Sequence, residues 1–424
     1  MNGYLRSKSL RMKFLFIHTG LPGQFEHLMH ALAREPGHEI VGICREFEPQ
    51  QYDLSAVRVE YYQTETRKAG GDWLEYRIRQ EFENGLAVAR KIERLKRQGF
   101  VPDVILAHLG WGEPVYCKDI LPETPLIGYC EWYYQARNSC VDFDPEYSRH
   151  DLDAAFQLRT ANAVVLAGLA AMDLGICPTE WQKSQFPLEF QRKIRVLHEG
   201  VDVSRLHPDA NASFALPNGE VLTRAQPIVT YAARNLEPYR GFHVFMRAVA
   251  LLCARRPDCR FVIAGGDEVS YSPPPPAGTT YRQTMLREVP IDPARVQFTG
   301  RLPFDDYVKL LQISHAHVYL TVPFVPSWSL VEAMSAGCAI IGSDTPPVRE
   351  LLRHDRNALL ADFFSPAEIA DRMDSLLEQP IRGQALGNAA RLDVLRNYGI
   401  AQSVRQYRAL IEQLTITSHI GISP

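Results

Sequence analysis

Ile228-Val229-Thr230-Tyr231-Ala232-Ala233-Arg234-Asn235-Leu236-Glu237-Pro238-Tyr239-Arg240-Gly241-Phe242 holds the fold in miniature. Ile228–Ala232 is a short apolar run suited to a strand, a polar loop follows, and Phe242–Cys253 carries on with helical periodicity. The same rhythm continues downstream in apolar runs at Arg260–Ala264, Val296–Thr299, Ala316–Leu320 and Ala339–Ile341. Upstream it has already run once, through Phe14–His18, an amphipathic stretch Phe25–Arg34, and Glu39–Cys44. Further runs are Val104–Ala107, Pro125–Tyr129, Ala163–Leu166, Leu174–Cys177 and Ile194–His198. Short apolar strands separated by helices predict βαβ units and a parallel sheet. Played twice, the pattern predicts an α/β protein of two Rossmann-like domains facing each other across a cleft, with ligands at the carboxyl ends of the strands.

A chain of 424 residues suits two such domains. Val203–Pro227, with Pro208, Asp209, Asn211, Pro217, Asn218 and Gly219 and little periodicity, marks the boundary. The expected division is 12–205, 206–398, and a C-terminal helix and tail over 399–424. In that last segment Val404, Tyr407, Leu410, Ile411 and Leu414 share one helical face and should pack on a domain. Ser270–Gly278 contains Pro273 to Pro276 in succession and reads as a stiff surface loop.

Composition excludes several classes. With 46% hydrophobic and 22% charged residues the chain is globular, and a net charge of −3 argues against a nucleic-acid binder, which needs cations to release phosphate counterions. The eight cysteines lack zinc-type or CxxC spacing and read as reduced thiols of a cytoplasmic protein. The run Phe14–Ile17 is too short for a signal-peptide core, and no stretch approaches the roughly 20 apolar residues of a membrane span. The basic helix Tyr76–Arg97, with Arg77, Arg79, Arg90, Lys91, Arg94, Lys96 and Arg97, is either a solvated face or a peripheral contact with the inner face of a membrane.

Function should lie in loops after strands. Arg234 and Arg240, at a strand end and a helix start, can converge on one diphosphate through their planar donor forks; alternatively they are exposed, one of them paired to Glu237. Gly20 and Gly23, in His18-Thr19-Gly20-Leu21-Pro22-Gly23-Gln24-Phe25, let a ligand approach the backbone closely or simply close a tight turn. A proline-rich loop, Pro323–Ser327, leads into a short helix stopping at Gly337, whose first amides can bind phosphate. Ser329 and Glu332 within it also have the spacing of a capping box.

The series as a whole resembles the retaining glycosyltransferases of the GT-B fold, family 4. It comprises the Gly20–Gly23 loop with Gly37-His38-Glu39-Ile40, then His198-Glu199-Gly200-Val201-Asp202, Arg234 with Arg240, and Ile263-Ala264-Gly265-Gly266-Asp267. It closes with Phe298-Thr299-Gly300-Arg301-Leu302 and Ser329-Leu330-Val331-Glu332-Ala333-Met334-Ser335-Ala336-Gly337. Pro22–Phe25, Glu237–Phe242 and Phe324–Ser329 resemble a bacterial subgroup of that family.

The resemblance implies that Arg234 and Arg240 hold the diphosphate of a nucleotide-sugar donor and that Glu332 holds its ribose. It also implies that Arg301 and Leu302 flank the base and that the amides of Ser329 and Leu330 add phosphate contacts, with Gly20 and Gly23 also on the donor. Phe324 stands where the family has a second glutamate facing the donor sugar. Glu131, in Cys130-Glu131-Trp132-Tyr133-Tyr134, stands where many relatives have a histidine near the reacting sugar, and Trp132–Tyr134 form a sugar platform or buried packing. His108, ahead of Gly110-Trp111-Gly112-Glu113, is a further candidate or a satisfied core histidine. The expected activity is metal-independent, retaining transfer of a hexose-like unit to a hydroxyl acceptor in polysaccharide, glycolipid or glycoconjugate synthesis, with no cofactor beyond the donor. Asp305-Asp306 lie at a helix start and form no DxD-type metal site after a strand. The alternatives are a sugar-nucleotide epimerase and a non-catalytic nucleotide-sugar-binding protein.

Overall fold

A computed structural model describes residues 11–46, 54–64, 73–148 and 151–420, without the side chains of 73–76 and 417–420. Residues 421–424 of the expected tail lie outside the description. The chain forms two compact units: Met1–Tyr134 with Asp151–Glu199 and Ala401–Pro424, and Gln135–His150 with Gly200–Ile400. Gln135–His150 thus belongs with the second unit although its neighbours on both sides belong with the first, and the boundary after the first half falls at Glu199/Gly200.

The first unit holds β1 (Lys13–Ile17), β2 (Glu39–Arg45), β3 (Arg58–Tyr62), β4 (Val104–His108), β5 (Leu126–Tyr129), β6 (Leu174–Cys177) and β7 (Ile194–Val196). They make one parallel sheet in the order β3-β2-β1-β4-β5-β6-β7. In β1, Leu15 and Ile17 enter one core cluster and Phe14 and Phe16 the other, so both faces are covered, as an unbroken apolar parallel strand requires. The C-terminal helix Ile400–Ile420 adds Tyr407, Ile411 and Leu414 to the second of these clusters.

The second unit holds a parallel sheet ordered β12-β11-β10-β13-β14-β15, from β10 (Ile228–Asn235), β11 (Arg260–Gly266), β12 (Val296–Gly300), β13 (Ala316–Tyr319), β14 (Ile340–Ser343) and β15 (Leu359–Ala361). A short antiparallel pair, β8 (Ser213–Ala215) and β9 (Val221–Thr223), precedes it. In each sheet the order reverses once, between β1 and β4 and between β10 and β13. Each switch point opens a crevice at the strand ends of its own sheet, where α/β proteins bind ligands.

Three readings of the sequence need correction. Ala163–Leu166 is no strand but the middle of the helix Leu152–Ala171, which Asp151 caps by accepting from the Ala154 amide. The helix is apolar nearly all round, so its period is hidden, and Val164, Val165 and Leu169 are buried in the core. By length and composition this helix alone, among the described residues, could cross a bilayer. Val203–Pro227 is also more ordered than its composition suggests: Phe214 and Leu222 of the hairpin are buried in the second core, with Gly219 at φ +87° in the turn. Lastly, β3 and β15 go unseen: β3 interleaves Arg58 and Glu60 with its apolar residues, and β15 is only three residues long.

In the basic helix Trp73–Arg97, four of the seven cations are paired with carboxylates, while Arg90, Lys91 and Lys96 have no carboxylate partner among the described residues. Arg77 pairs with Glu81, Arg79 with Glu83, Arg94 with Glu60 and Arg97 with Glu93. All eight cysteines are free and buried.

Candidate functional site

In the second unit the switch point carries a cavity of about 250 Å³, lined by Ala232, Ala233, Arg234, Ala264, Gly265, Arg301, Leu302, Tyr307 and Ser329. Two register irregularities shape its lip. β10 gains a residue against β11 between Ala232 and Asn235, and β12 gains one against β11 at Thr299. Bulges of this kind re-aim side chains beside active sites. The first sets Arg234 at the mouth, exposed and without a hydrogen bond or ion pair among the described residues. The second leads into Arg301, whose Nη2 donates to Asn235 Oδ1 and Glu268 Oε2, both at 2.9 Å.

Arg240 differs in kind. It is buried, and its Nη1 donates to Thr321 Oγ1 at 2.9 Å and to the Val325 carbonyl at 3.1 Å. Its guanidinium lies 5.6 Å from the Tyr271 ring centre and 5.8 Å from that of Phe324, with no carboxylate paired to it among the described residues. The pairing of an arginine with Glu237 does not form. Glu237 Oε2 instead accepts the amides of Ser270, Tyr271 and Ser272 at 3.1, 3.0 and 2.9 Å, pinning the start of the proline-rich loop. A buried cation left without an anion is a site poised for one. Phe324, 7% exposed, packs against Tyr239 and Tyr271 and so offers rings, not a carboxylate.

The helix Trp328–Ser335 begins with Ser327 as N-cap and no side-chain cap, so Ser329 lies inside it and the capping box with Glu332 is not made. Leu330 sends its side chain into the core and its amide to Ser327 O at 3.0 Å, whereas the Ser329 amide belongs to the first turn, whose donors have no intrahelical partner. Glu332 accepts from Tyr307 Oη at 3.0 Å, and Tyr307 lines the cavity. Burial pushes the Glu332 carboxyl up to about 7 against the pull of that hydrogen bond. A half-satisfied carboxyl beside a cavity is suited to accept further hydroxyl donors.

In the first unit the switch point gathers His18, Gln24, His108, Trp111 and Glu131. Glu131 follows β5, is partly exposed, and accepts from His108 Nε2 on Oε2 and from Gln24 Nε2 on Oε1, each at 3.1 Å. Burial favours its neutral form, but His108 and, less strongly, His18 and Gln24 outweigh this and hold the carboxyl below the usual carboxylate range. His108 is itself buried and stacks on Trp111 at 3.9 Å and 18°. Gly20 donates its amide to His18 Nδ1, and Gly23, at φ +51°, leaves the space that the His18 ring fills. Trp132 is buried, Tyr133 packs on the core, and Tyr134 has both backbone groups tied to Asn162. His18, Gln24 and Tyr307 escape a reading of the sequence alone, although His18 and His108 sit in the same His-x-Gly context at the ends of two strands.

Residues 36–206 match the family described as Glycosyl transferase family 4 group, and residues 218–393 match Glycosyl transferases group 1. A D-inositol 3-phosphate glycosyltransferase of Corynebacterium efficiens is 25% identical over 237 residues, covering 55% of this chain and 54% of its own. A phosphatidyl-myo-inositol mannosyltransferase of Mycobacterium tuberculosis is 30% identical over 202 residues, covering 45% and 47%. The chain thus spans about half the length of the curated relatives it matches. Among solved structures, Anabaena HepE in complex with UDP-glucose superposes with a TM-score of 0.67 at 16% identity, over 95% of this chain and 100% of that one. Sucrose-phosphate synthase from Thermosynechococcus elongatus gives 0.68 at 16% identity, over 96% and 100%. With both halves matched in order and both sheets of Rossmann type, the chain belongs to glycosyltransferase family 4 and has the GT-B fold.

Proposed function

We propose that this glycosyltransferase moves a sugar from a nucleotide-diphosphate donor to a hydroxyl acceptor with retention at the anomeric carbon. The observation that carries the donor half is a pair of cations without a carboxylate partner among the described residues, exposed Arg234 at the cavity mouth and buried Arg240, which does not line the cavity but is held by Thr321 and Val325. They hold the diphosphate with the Ser329 amide; Tyr307 and Glu332 meet the ribose, and Arg301 and Leu302 the base. The bond from the anomeric carbon to the diphosphate breaks with its electron pair going to the departing oxygen, where two fixed cations stabilise the growing charge. The acceptor oxygen bonds to the same carbon and its proton leaves with the diphosphate. Glu131, a carboxylate whose neighbours favour its ionised form, is a weak base but a good fixed negative charge, so it orients the hydroxyl and stabilises positive charge at the carbon. Retention rests on the family resemblance.

Arginines and amides, instead of a metal, take the diphosphate on this reading: the acidic pair Asp305-Asp306 lies in the first turn of the helix Phe304–Ile313, with Asp305 paired to Arg205 and Asp306 to Lys309. Cytoplasmic residence fits eight buried thiols. The acceptor class is a polysaccharide, glycolipid or glycoconjugate hydroxyl, and the names of the relatives add inositol phosphates and phosphatidylinositol to the acceptor panel.

The test is release of nucleoside diphosphate from UDP-, GDP- and ADP-sugars without acceptor. Slow release that Arg240→Ala abolishes supports the reading. Interconversion of the free sugar nucleotide would instead make the protein an epimerase, and binding without either reaction would make it a non-catalytic binder.

A further inference from the structure

β1 and β4 are neighbours in the sheet and end in the same pattern, His18-Thr19-Gly20 and His108-Leu109-Gly110. In both, the glycine amide two residues on donates to the histidine Nδ1, at 2.8 Å for Gly20 and 3.0 Å for Gly110. That bond fixes the tautomer. A ring whose Nδ1 lone pair is taken by an amide carries its proton on Nε2, and it can take a second proton only by giving the amide bond up.

The two Nε2–H groups are aimed at one target. His108 donates straight to Glu131 Oε2 at 3.1 Å. His18 donates to Gln24 Oε1 at 2.7 Å, which turns the amide so that Gln24 Nε2 donates to Glu131 Oε1 at 3.1 Å. Each carboxylate oxygen therefore receives one donor whose direction is set by backbone. The packing leaves the rings little freedom. A Cβ on Gly23 would lie 2.4 Å from His18 Nε2, a Cβ on Gly110 would lie 2.7 Å from His108 Cε1, and Trp111 meets both rings. Gln182, on the helix Glu180–Gln185, holds the Glu131 carbonyl at 2.7 Å.

We propose that the twin His-x-Gly strand ends and Gln24 are positioning groups that keep Glu131 ionised and aimed, and that neither histidine exchanges a proton during transfer. The proposal rests on the reading that Glu131 serves the reacting sugar. The charged and titratable groups around the carboxylate agree with it. His18 is held neutral down to about 3, chiefly by burial, and His108 presents only its Nε2–H. Glu113, which accepts from Tyr62 Oη, has its carboxyl raised by burial.

The test is the pH profile of donor turnover by the full chain in Gln24→Leu, with His108→Asn as a second variant and thermal melts as a folding check. Glu131 loses a donor, so its carboxyl titrates higher and the acid limb moves up. The acid limb is expected to move up by about one pH unit, the worth of a hydrogen bond to a charged group, so that turnover falls further at about pH 5 than at about pH 8, with KM for the donor unchanged. Equal loss at both pH values, or an unmoved acid limb, overturns the positioning role. Glu131→Gln separates the two failures: full turnover in that variant refutes the role of Glu131 itself, whereas lost turnover beside an unmoved Gln24→Leu profile refutes only the positioning.

Discussion

Glu332→Gln is expected to stabilise the second unit at neutral pH while weakening its hold on nucleotide. An ordinary glutamate titrates near 4.5, but burial takes this one to about 7. Below the lower value both folded and unfolded chains are protonated and nothing is lost. Between the two, the unfolded chain ionises while the folded chain keeps its proton, so stability declines as pH rises, and above the upper value the decline is complete. At ~1.4 kcal/mol per pH unit the full effect is about 3 kcal/mol, or ~6–12 °C in the melting temperature of a 200-residue unit. Glutamine has the same shape, can still accept from Tyr307, and carries no such penalty. The assay is a set of melts of both proteins at about pH 5, 6, 7 and 8, read as the difference between them. The buried histidines, His18 held near 3 and His198 and His317 near 4, act with the opposite sign, costing stability as pH falls below their ordinary range, and they cancel in that difference. The variant should gain on the wild type steadily from about pH 5 to pH 7 and then run parallel. Melting curves parallel across the whole range would refute the claim that Glu332 is a half-satisfied carboxyl held for a ligand.

Gly23→Ala should destabilise the first unit by about 1–3 kcal/mol, because it strains a left-handed residue and drives Cβ into the His18 ring; chemical denaturation measures it, and an unchanged midpoint contradicts the packing. Asp144→Ala removes the carboxylate 3.1 Å from His243, both groups buried, and should cost about 2–4 kcal/mol in the same assay, more than a surface pair could. Liposome flotation should depend only weakly on anionic lipid, since Arg77, Arg79, Arg94 and Arg97 each have a carboxylate partner and only Arg90, Lys91 and Lys96 are left without one among the described residues; flotation that rises steeply with anionic lipid would show the basic helix free to bind membrane.

The double Rossmann architecture was legible because buried parallel strands are unbroken apolar runs, and Leu174–Cys177 appears in the structure as it reads in the sequence. Ala163–Leu166 misleads for the same reason reversed, since a helix apolar on every side shows no period and its Val164-Val165 pair imitates a strand. At the site, Arg234 and Arg240 could be picked out by charge and loop position, but their difference could not. One is left free by a bulge that depends on the register of a neighbouring strand, and the other is buried against Thr321 and Val325, far along the chain. Glu332 had a local explanation in Ser329, and only the helix start at Trp328 removes it. Gln24 and His18 join Glu131 across a separation of more than a hundred residues, which no local spacing encodes.

The most direct test of the account is calorimetric titration of UDP, GDP and ADP into the wild type and Arg234→Ala. Arg234 is exposed and without a partner among the described residues, so its loss should leave folding intact and remove only the ligand contact. The wild type is expected to bind at least one of these diphosphates and the variant to bind it ~10–100-fold more weakly, the worth of a charge-assisted contact. Equal affinity in the two proteins, or no binding of any of them by the wild type, would contradict it.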